Sequence, residues 1–102
     1  MKRQAVTMVR LYLTEHYPID ALLRRLHEQE GVRGVTVFRA ISGYGDSGVV
    51  HSARLVDLAM DLPVVVEFFD LPEKVEQIVA HLADSIKPGH LVMWPAEAND
   101  RS

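Results

Sequence analysis

The stretch Leu62–Ile86, LPVVVEFFDLPEKVEQIVAHLADSI, decides how the chain folds. Its first eight residues are dominated by β-branched and aromatic side chains, which predicts a central strand over Leu62–Phe69. Pro63 sits at the start of that strand, where no ladder donor is needed. The spacing then changes from a period of two to a helical period. Pro72, Glu73 and Glu76 occupy the first helical turns, where negative charge suits the dipole, and Val75, Ile78, Val79, Leu82 and Ile86 form one apolar stripe. Lys87, Pro88 and Gly89 end the helix, and His90–Trp94 predicts a last short strand. The remaining residues, PAEANDRS over 95–102, form a polar tail expected to fray.

The same strand–helix–strand unit is legible in the first half. Val6–Leu13 divides by parity into Thr7, Val9, Leu11, Leu13 on one face and Val6, Met8, Arg10, Tyr12 on the other. Thr14–Tyr17 turns the chain and Pro18 opens a helix whose apolar stripe is Ile19, Leu22, Leu23 and Leu26. Arg24, Arg25, Glu28 and Glu30 lie off that stripe, and Gly31 stops the helix. A second strand follows over Gly34–Ile41. His51–Asp61 has Leu55, Leu58 and Ala59 at helix-like spacing but is short enough to be an extended arm instead.

Two βαβ halves joined by a loop make an α+β, ferredoxin-like βαββαβ sheet with two helices on one face. A chain of 102 residues is one domain over 1–102, with a flexible loop at about 43–61. Hydrophobic residues at 48% and charged residues at 25% fit an ordinary globular protein. A net charge of −3 provides no electrostatic footprint for nucleic acid, and the absence of cysteine excludes disulfides and thiolate metal sites. The basic and apolar start is broken by Thr7 and Arg10 and lacks a small-residue cleavage motif, so it reads as a first strand in a cytoplasmic protein.

Two helices can cover only one face of the sheet. If Val9, Leu11, Phe38, Val64, Val66 and Phe68 meet them, then Val6, Met8, Tyr12, Val35, Val37, Val65 and Phe69 form an apolar patch that other copies of the chain would cover. Parity puts Arg10, Arg39 and Glu67 on this second face as an interface ion network. The first and third long strands are neighbours in this topology, so Arg10 and Glu67 can reach each other.

The loop Arg39–Arg54, RAISGYGDSGVVHSAR, carries the binding candidates. Gly43, Gly45 and Gly48 would allow φ > 0 and close backbone approach to a ligand. Gly43, Tyr44 and Gly45 make either an anion cradle with Tyr44 stacking on a base, or a turn with Tyr44 packed on a neighbouring subunit. Arg39 and Arg54 suit bidentate phosphate or carboxylate binding or structural ion pairs; the reading here is ligand for Arg54 and interface for Arg39. His51 could donate to a phosphate, bind a metal or cap the loop, and the five histidines show no metal-type spacing. His27 and His81 read as solvated helix residues, and Asp46 with Ser47 as a turn. No nucleophile–base–orienter constellation emerges, so the chain reads as a binding protein rather than an enzyme.

The segment from Arg39 through Asp70, with Arg39, Ala40, Gly43, Tyr44, Gly45 and His51 in an R-G/A-x-x-G-F/Y-G-x5-H pattern and DLPVVVE at Asp61–Glu67, resembles the DUF190 (UPF0166) family of PII-like proteins. Ala40 stands where many relatives have glycine. The resemblance implies a trimer with its sheets packed round the threefold axis. It also implies a T-loop that contacts partners, and effectors such as adenine nucleotides bound in clefts between subunits. Lys87, Pro88 and Gly89 occupy the place of the phosphate-contacting B-loop without its fuller glycine pattern, so Lys87 is either a phosphate contact or a cation at a helix end. The expectation is a homotrimeric sensor with no obligatory cofactor. It binds a small anionic effector through Gly43, Tyr44, Gly45, His51, Arg54, Lys87 and Gly89, and acts on a membrane transporter or channel. The alternatives are a metal-tolerance trimer like CutA and a structural trimer that docks a partner without a small ligand.

Overall fold

The computed structural model describes residues 1–14, 16–44, 51–52 and 63–100. In chain order these form β1 (Arg3–Thr14), α1 (Ile19–Arg24), which continues into a π turn at Arg25–Gln29, and β2 (Val35–Arg39). Then come β3 (Ser42–Gly43), β4 (His51–Ser52), β5 (Pro63–Asp70), α2 (Pro72–Leu82) with a 3-10 turn at Ala83–Ser85, and β6 (Leu91–Asn99). Four strands make one antiparallel sheet in the order β2-β5-β1-β6, while β3 and β4 pair as a separate ribbon. The ferredoxin-like architecture expected from the sequence is the one observed.

Alternation along the two central strands builds the core. Val9 pairs with Phe68 and Leu11 with Val66, so these four share a face, and α1 and α2 close over them with Leu22, Leu26, Val75, Ile78 and Leu82. Burial of each such side chain contributes about 1.5–3 kcal/mol. Pro72 stands at the first turn of α2, where its missing N–H costs nothing, and Asp70 Oδ1 accepts the Leu71 N–H at 2.8 Å.

The exit of α1 is closed by wide backbone hydrogen bonds. The Glu30 N–H donates to the Arg25 carbonyl at 3.0 Å and the Val32 N–H to the Leu26 carbonyl at 2.9 Å. Gly31 takes φ 70° to reverse the chain, a conformation that glycine adopts without steric cost. Polar contacts then tie this exit to α2: Lys74 Nζ donates to the Gly31 carbonyl at 2.7 Å, and Arg25 Nη2 to the His81 carbonyl at 3.0 Å. His81 is more than the solvated residue its helix position suggested, because its Nδ1 lies 2.9 Å from the well-buried Glu30 carboxylate.

Two expectations need correction. Val37 pairs with Val66 and Arg39 with Val64, so Val35, Val37 and Arg39 face the helices while Thr36 and Phe38 face the other way. The reverse was expected because both parities of β2 mix apolar and polar residues, leaving the pattern without a phase; only the register with β5 supplies one. The polar stretch at 95–99 is not a frayed tail either. It continues β6, paired with β1 from Arg3↔Asn99 to Thr7↔Pro95, and the Asp100 N–H donates to the Lys2 carbonyl at 2.9 Å. An edge strand with one wet side needs no hydrophobic run.

Candidate functional site

The face of the sheet away from the helices is apolar and open. Phe38 is 50% exposed and Val92 42%, with Tyr12 and Phe69 similarly uncovered. In its middle Arg10 and Glu67, directly opposed across β1 and β5, form the expected pair: Arg10 Nε and Nη2 donate to Glu67 Oε2 at 2.8 and 2.6 Å. The Arg10 guanidinium also lies 5.2 Å from the centre of the Trp94 ring, a cation–π distance that the sequence reading missed. Hydrogen bonds from Arg10, first to Tyr12 and then to Glu67, raise its pKa above the ordinary value. Arg39 does not join this network, since its side chain is on the helix side of β2.

Of the predicted ligand residues, Gly43, Tyr44, Lys87 and Gly89 lie at the sheet end where β1 finishes and β5 begins. The Ala40 N–H donates to the Pro63 carbonyl at 3.0 Å, and the ribbon rises directly beyond, with Ser42 opposite Ser52 and Gly43 opposite His51. Gly43 does not use positive φ; among the described residues only Gly31 and Gly89 do. What Gly43 allows is close approach, because a Cβ there would lie 3.3 Å from Pro63 Cγ. Tyr44 is 71% exposed. Gly45, Arg54 and residues 53–61 of the expected flexible loop lie outside the described residues, and for His51 only the backbone pairing is described.

The Lys87–Gly89 turn lies at the same end, beside β1. The His90 N–H donates to the Lys87 carbonyl at 3.0 Å, Gly89 has φ 81°, and the Tyr12 N–H donates to the His90 carbonyl at 2.8 Å. The turn opens β6 and the ribbon rises from β2, so the strand order separates them by three strand spacings, about 14 Å. One chain therefore presents Tyr44 and Lys87 on the same rim without bringing them into a single pocket.

A third feature at this end escaped the sequence reading. The start of α1 and the helix side of β2 enclose a cleft of about 710 Å³, lined by Tyr17, Pro18, Ile19, Asp20, Ala21, Arg24, Val37, Arg39 and Val64. Asp20 and Ala21 lie four and three residues before Arg24, so the helical period alone would have put these three on one face of α1. They were passed over because they lie off the apolar stripe.

Comparison with known proteins agrees with this architecture. The chain overlays on CPII, a nitrogen regulatory PII-like protein from Thiomonas intermedia K12 solved with ADP and bicarbonate. The TM-score is 0.63, with 17% identity over 95% of this chain and 89% of that one. It also overlays on a PII-like signaling protein from Thermus thermophilus (TM-score 0.67, 18% identity, 96% and 91% covered). The divalent cation tolerance protein CutA from Archaeoglobus fulgidus shares the fold at a TM-score of 0.58 and 9% identity, covering 95% and 86%. The fold is thus PII-like.

The sequence profile of DUF190, described as Uncharacterized ACR, COG1993, matches residues 7–98, and the chain belongs to that family. A UPF0166 protein of Methanocaldococcus jannaschii is 30% identical over 91 residues, 84% of this chain and 83% of that protein. A UPF0166 protein of Aquifex aeolicus is 43% identical over 61 residues, 60% of this chain and 57% of the relative's length.

Proposed function

We propose that the chain is a PII-like regulatory protein that assembles as a homotrimer through its open sheet face. In this reading it binds a small anionic effector, an adenine nucleotide, at the rim formed by the ribbon base and the Lys87–Gly89 turn. The observation that carries the reading is the presence of Gly43, Tyr44, Lys87 and Gly89 at one end of the sheet, about 14 Å apart across the strand order of one chain. A neighbouring subunit packed against that end would complete a pocket that one chain leaves open. The naming of ADP with CPII supports the ligand class.

Effector binding in the cleft between subunits orders the 43–54 loop, and the ordered loop binds a partner, a membrane transporter or channel. Coupling of this kind requires that the effector bind the ordered loop state more tightly than the free one. His51 and Arg54 supply the polar contacts from the loop. In this reading the protein acts in the cytoplasm and performs no catalysis. Among the described residues, no helix is long and apolar enough to cross a membrane.

Isothermal titration with ATP, ADP, AMP and cyclic nucleotides, alongside light scattering, tests the reading. It expects saturable heat with at least one nucleotide and a mass three times the 11.5 kDa subunit. No heat and no thermal shift with any nucleotide would remove the effector. The fold shared with CutA keeps a divalent-cation reading as the second choice, distinguished by metal titration and elemental analysis of the protein. A trimer that responds to neither ligand class would be a docking scaffold.

A further inference from the structure

We propose that β2 is a register switch: it slides by one residue along β5, which turns its side chains over and draws back the base of the ribbon. In the main sheet β2 has one neighbour, β5. No residue of β2 is buried, whereas β5 buries every second side chain. A buried face is what fixes the register of a strand, and a strand without one slips easily. Val37 on the helix side is 41% exposed and Phe38 on the other side 50%, so the two alternate sets of β2 are nearly equally wet.

The second register follows from the order of residues. With Thr36 in the place of Val35, Phe38 comes opposite Val66 and Ala40 opposite Val64, and these three face the helices. This is the orientation of Phe38 expected from the sequence. The ladder loses Val35 and gains Ile41, whose N–H takes over the bond that Ala40 makes to the Pro63 carbonyl. Val35 packs against the edge of the core, which favours the observed register; the entry of Phe38 in place of Val37 favours the other. Both ends of β2 allow the slide. Val32 is fixed in the core at 3% exposure, but Arg33 and Gly34 form an irregular connection, and a Cβ at Gly34 would meet nothing within 4 Å. The residue released from β2 is taken up there. Ile41 is 81% exposed and enters the ladder without leaving a packed site.

The slide moves the ribbon base by one residue, about 3.4 Å. It also puts Arg39 on the open face opposite Val65, two places along β5 from Glu67, a diagonal of about 7–8 Å that a long side chain spans. Both Arg10 bonds end on Glu67 Oε2, so Arg39 approaches Oε1. Whatever covers Glu67 therefore biases the register, and with it the position of the ribbon.

The chain has no cysteine, so an introduced pair reports strand pairing alone. Val65→Cys is combined in the full chain with Phe38→Cys, Arg39→Cys or Val37→Cys, and each variant is oxidised under native conditions and followed by mass spectrometry. Phe38 lies opposite Val65 in the observed register, Arg39 in the slid one and Val37 in neither, and a bridge requires Cβ atoms that face each other. The Phe38 variant should close first. The Arg39 variant should close about tenfold faster than the Val37 variant, which measures general opening. Adding Val35→Thr with Thr36→Val, which exchanges the register that holds a valine against the core, should speed the Arg39 variant further. Equal rates for the Arg39 and Val37 variants, or an excess seen only with the valine–threonine exchange, would overturn the switch. Relaxation dispersion and saturation-transfer measurements on the unmodified chain give a second readout, with exchange expected at the amides of residues 35–41 and none at Val9 and Leu11. Flat profiles across 35–41 would overturn the switch as well. The switch needs no ligand, so its failure leaves the effector reading standing, and a failed nucleotide titration leaves the switch standing.

Discussion

Phe68 and Phe69 are the same side chain one residue apart on β5, yet the first is 2% exposed and the second 45%. Phe68 lies under the helices, packed in the cluster with Val9, Leu11 and Leu26. Phe69 points to the open face, opposite Met8 on β1 and near the Arg10–Glu67 pair. Chemistry does not separate the two; the pleat does. One face of this sheet is completed by its own helices, and the other presents comparable apolar groups that the described elements leave largely uncovered.

Truncating each phenylalanine in turn puts the contrast between the faces to its hardest test. Phe68→Ala leaves a cavity in a close-packed core and should cost about 3–5 kcal/mol of stability, read from chemical denaturation. Should that variant melt like the parent chain, the helix-covered face would not be the core described here. Phe69→Ala should change the stability of the isolated subunit by under about 1.5 kcal/mol, since the site is already half open to water. Its main effect should be dissociation of the assembly at low concentration, measured by light scattering across a dilution series. An assembly indifferent to Phe69 would mean that copies do not meet through this face.

Glu67→Ala should have the smallest effect on the subunit fold, because it deletes one carboxylate from a partly hydrated ion pair while Arg10 keeps its place against Trp94. It should still weaken assembly, since covering Arg10 without Glu67 would bury a charge lacking its partner. A mass and dissociation profile identical to the parent would assign the pair to β1–β5 pairing alone. A separate check sits at the rim: Gly89→Ala forces a side chain into φ 81° and should cost about 1–2 kcal/mol, with no effect on the open face.

Much of this was legible in residue order. LPVVVEFF announced a central strand, and the stripe Val75, Ile78, Val79, Leu82 announced the helix that follows it. The Arg10–Glu67 pair could be anticipated because the topology makes β1 and β5 neighbours and parity puts both charges on one face. Arg39 could not be placed by the same logic. The chain enters β2 through an irregular stretch after Gly31, and nothing in VTVFR marks which alternate set faces inward. The residues at 95–99 misled for a related reason: as part of an edge strand they draw stability from the backbone ladder with β1, which leaves little mark in side-chain hydrophobicity.

The candidate site divides in the same way. Gly43 was expected to take positive φ and does not; the close approach the structure shows there is to the Pro63 ring. The cleft residues Tyr17, Asp20 and Arg24 were passed over because they look like the wet side of an amphipathic helix. What the amino-acid order determined by itself was the order of the four long strands and two helices and the presence of an apolar face that two helices cannot cover, because these follow from local periodicity and from counting surfaces, while the family was legible in the motif residues. Only the tertiary structure decided which way β2 faces, that the last strand runs on to Asn99, and that Arg24 and Arg39 line one cleft. Register and helix placement are set by packing between segments distant in sequence, and no local pattern encodes them.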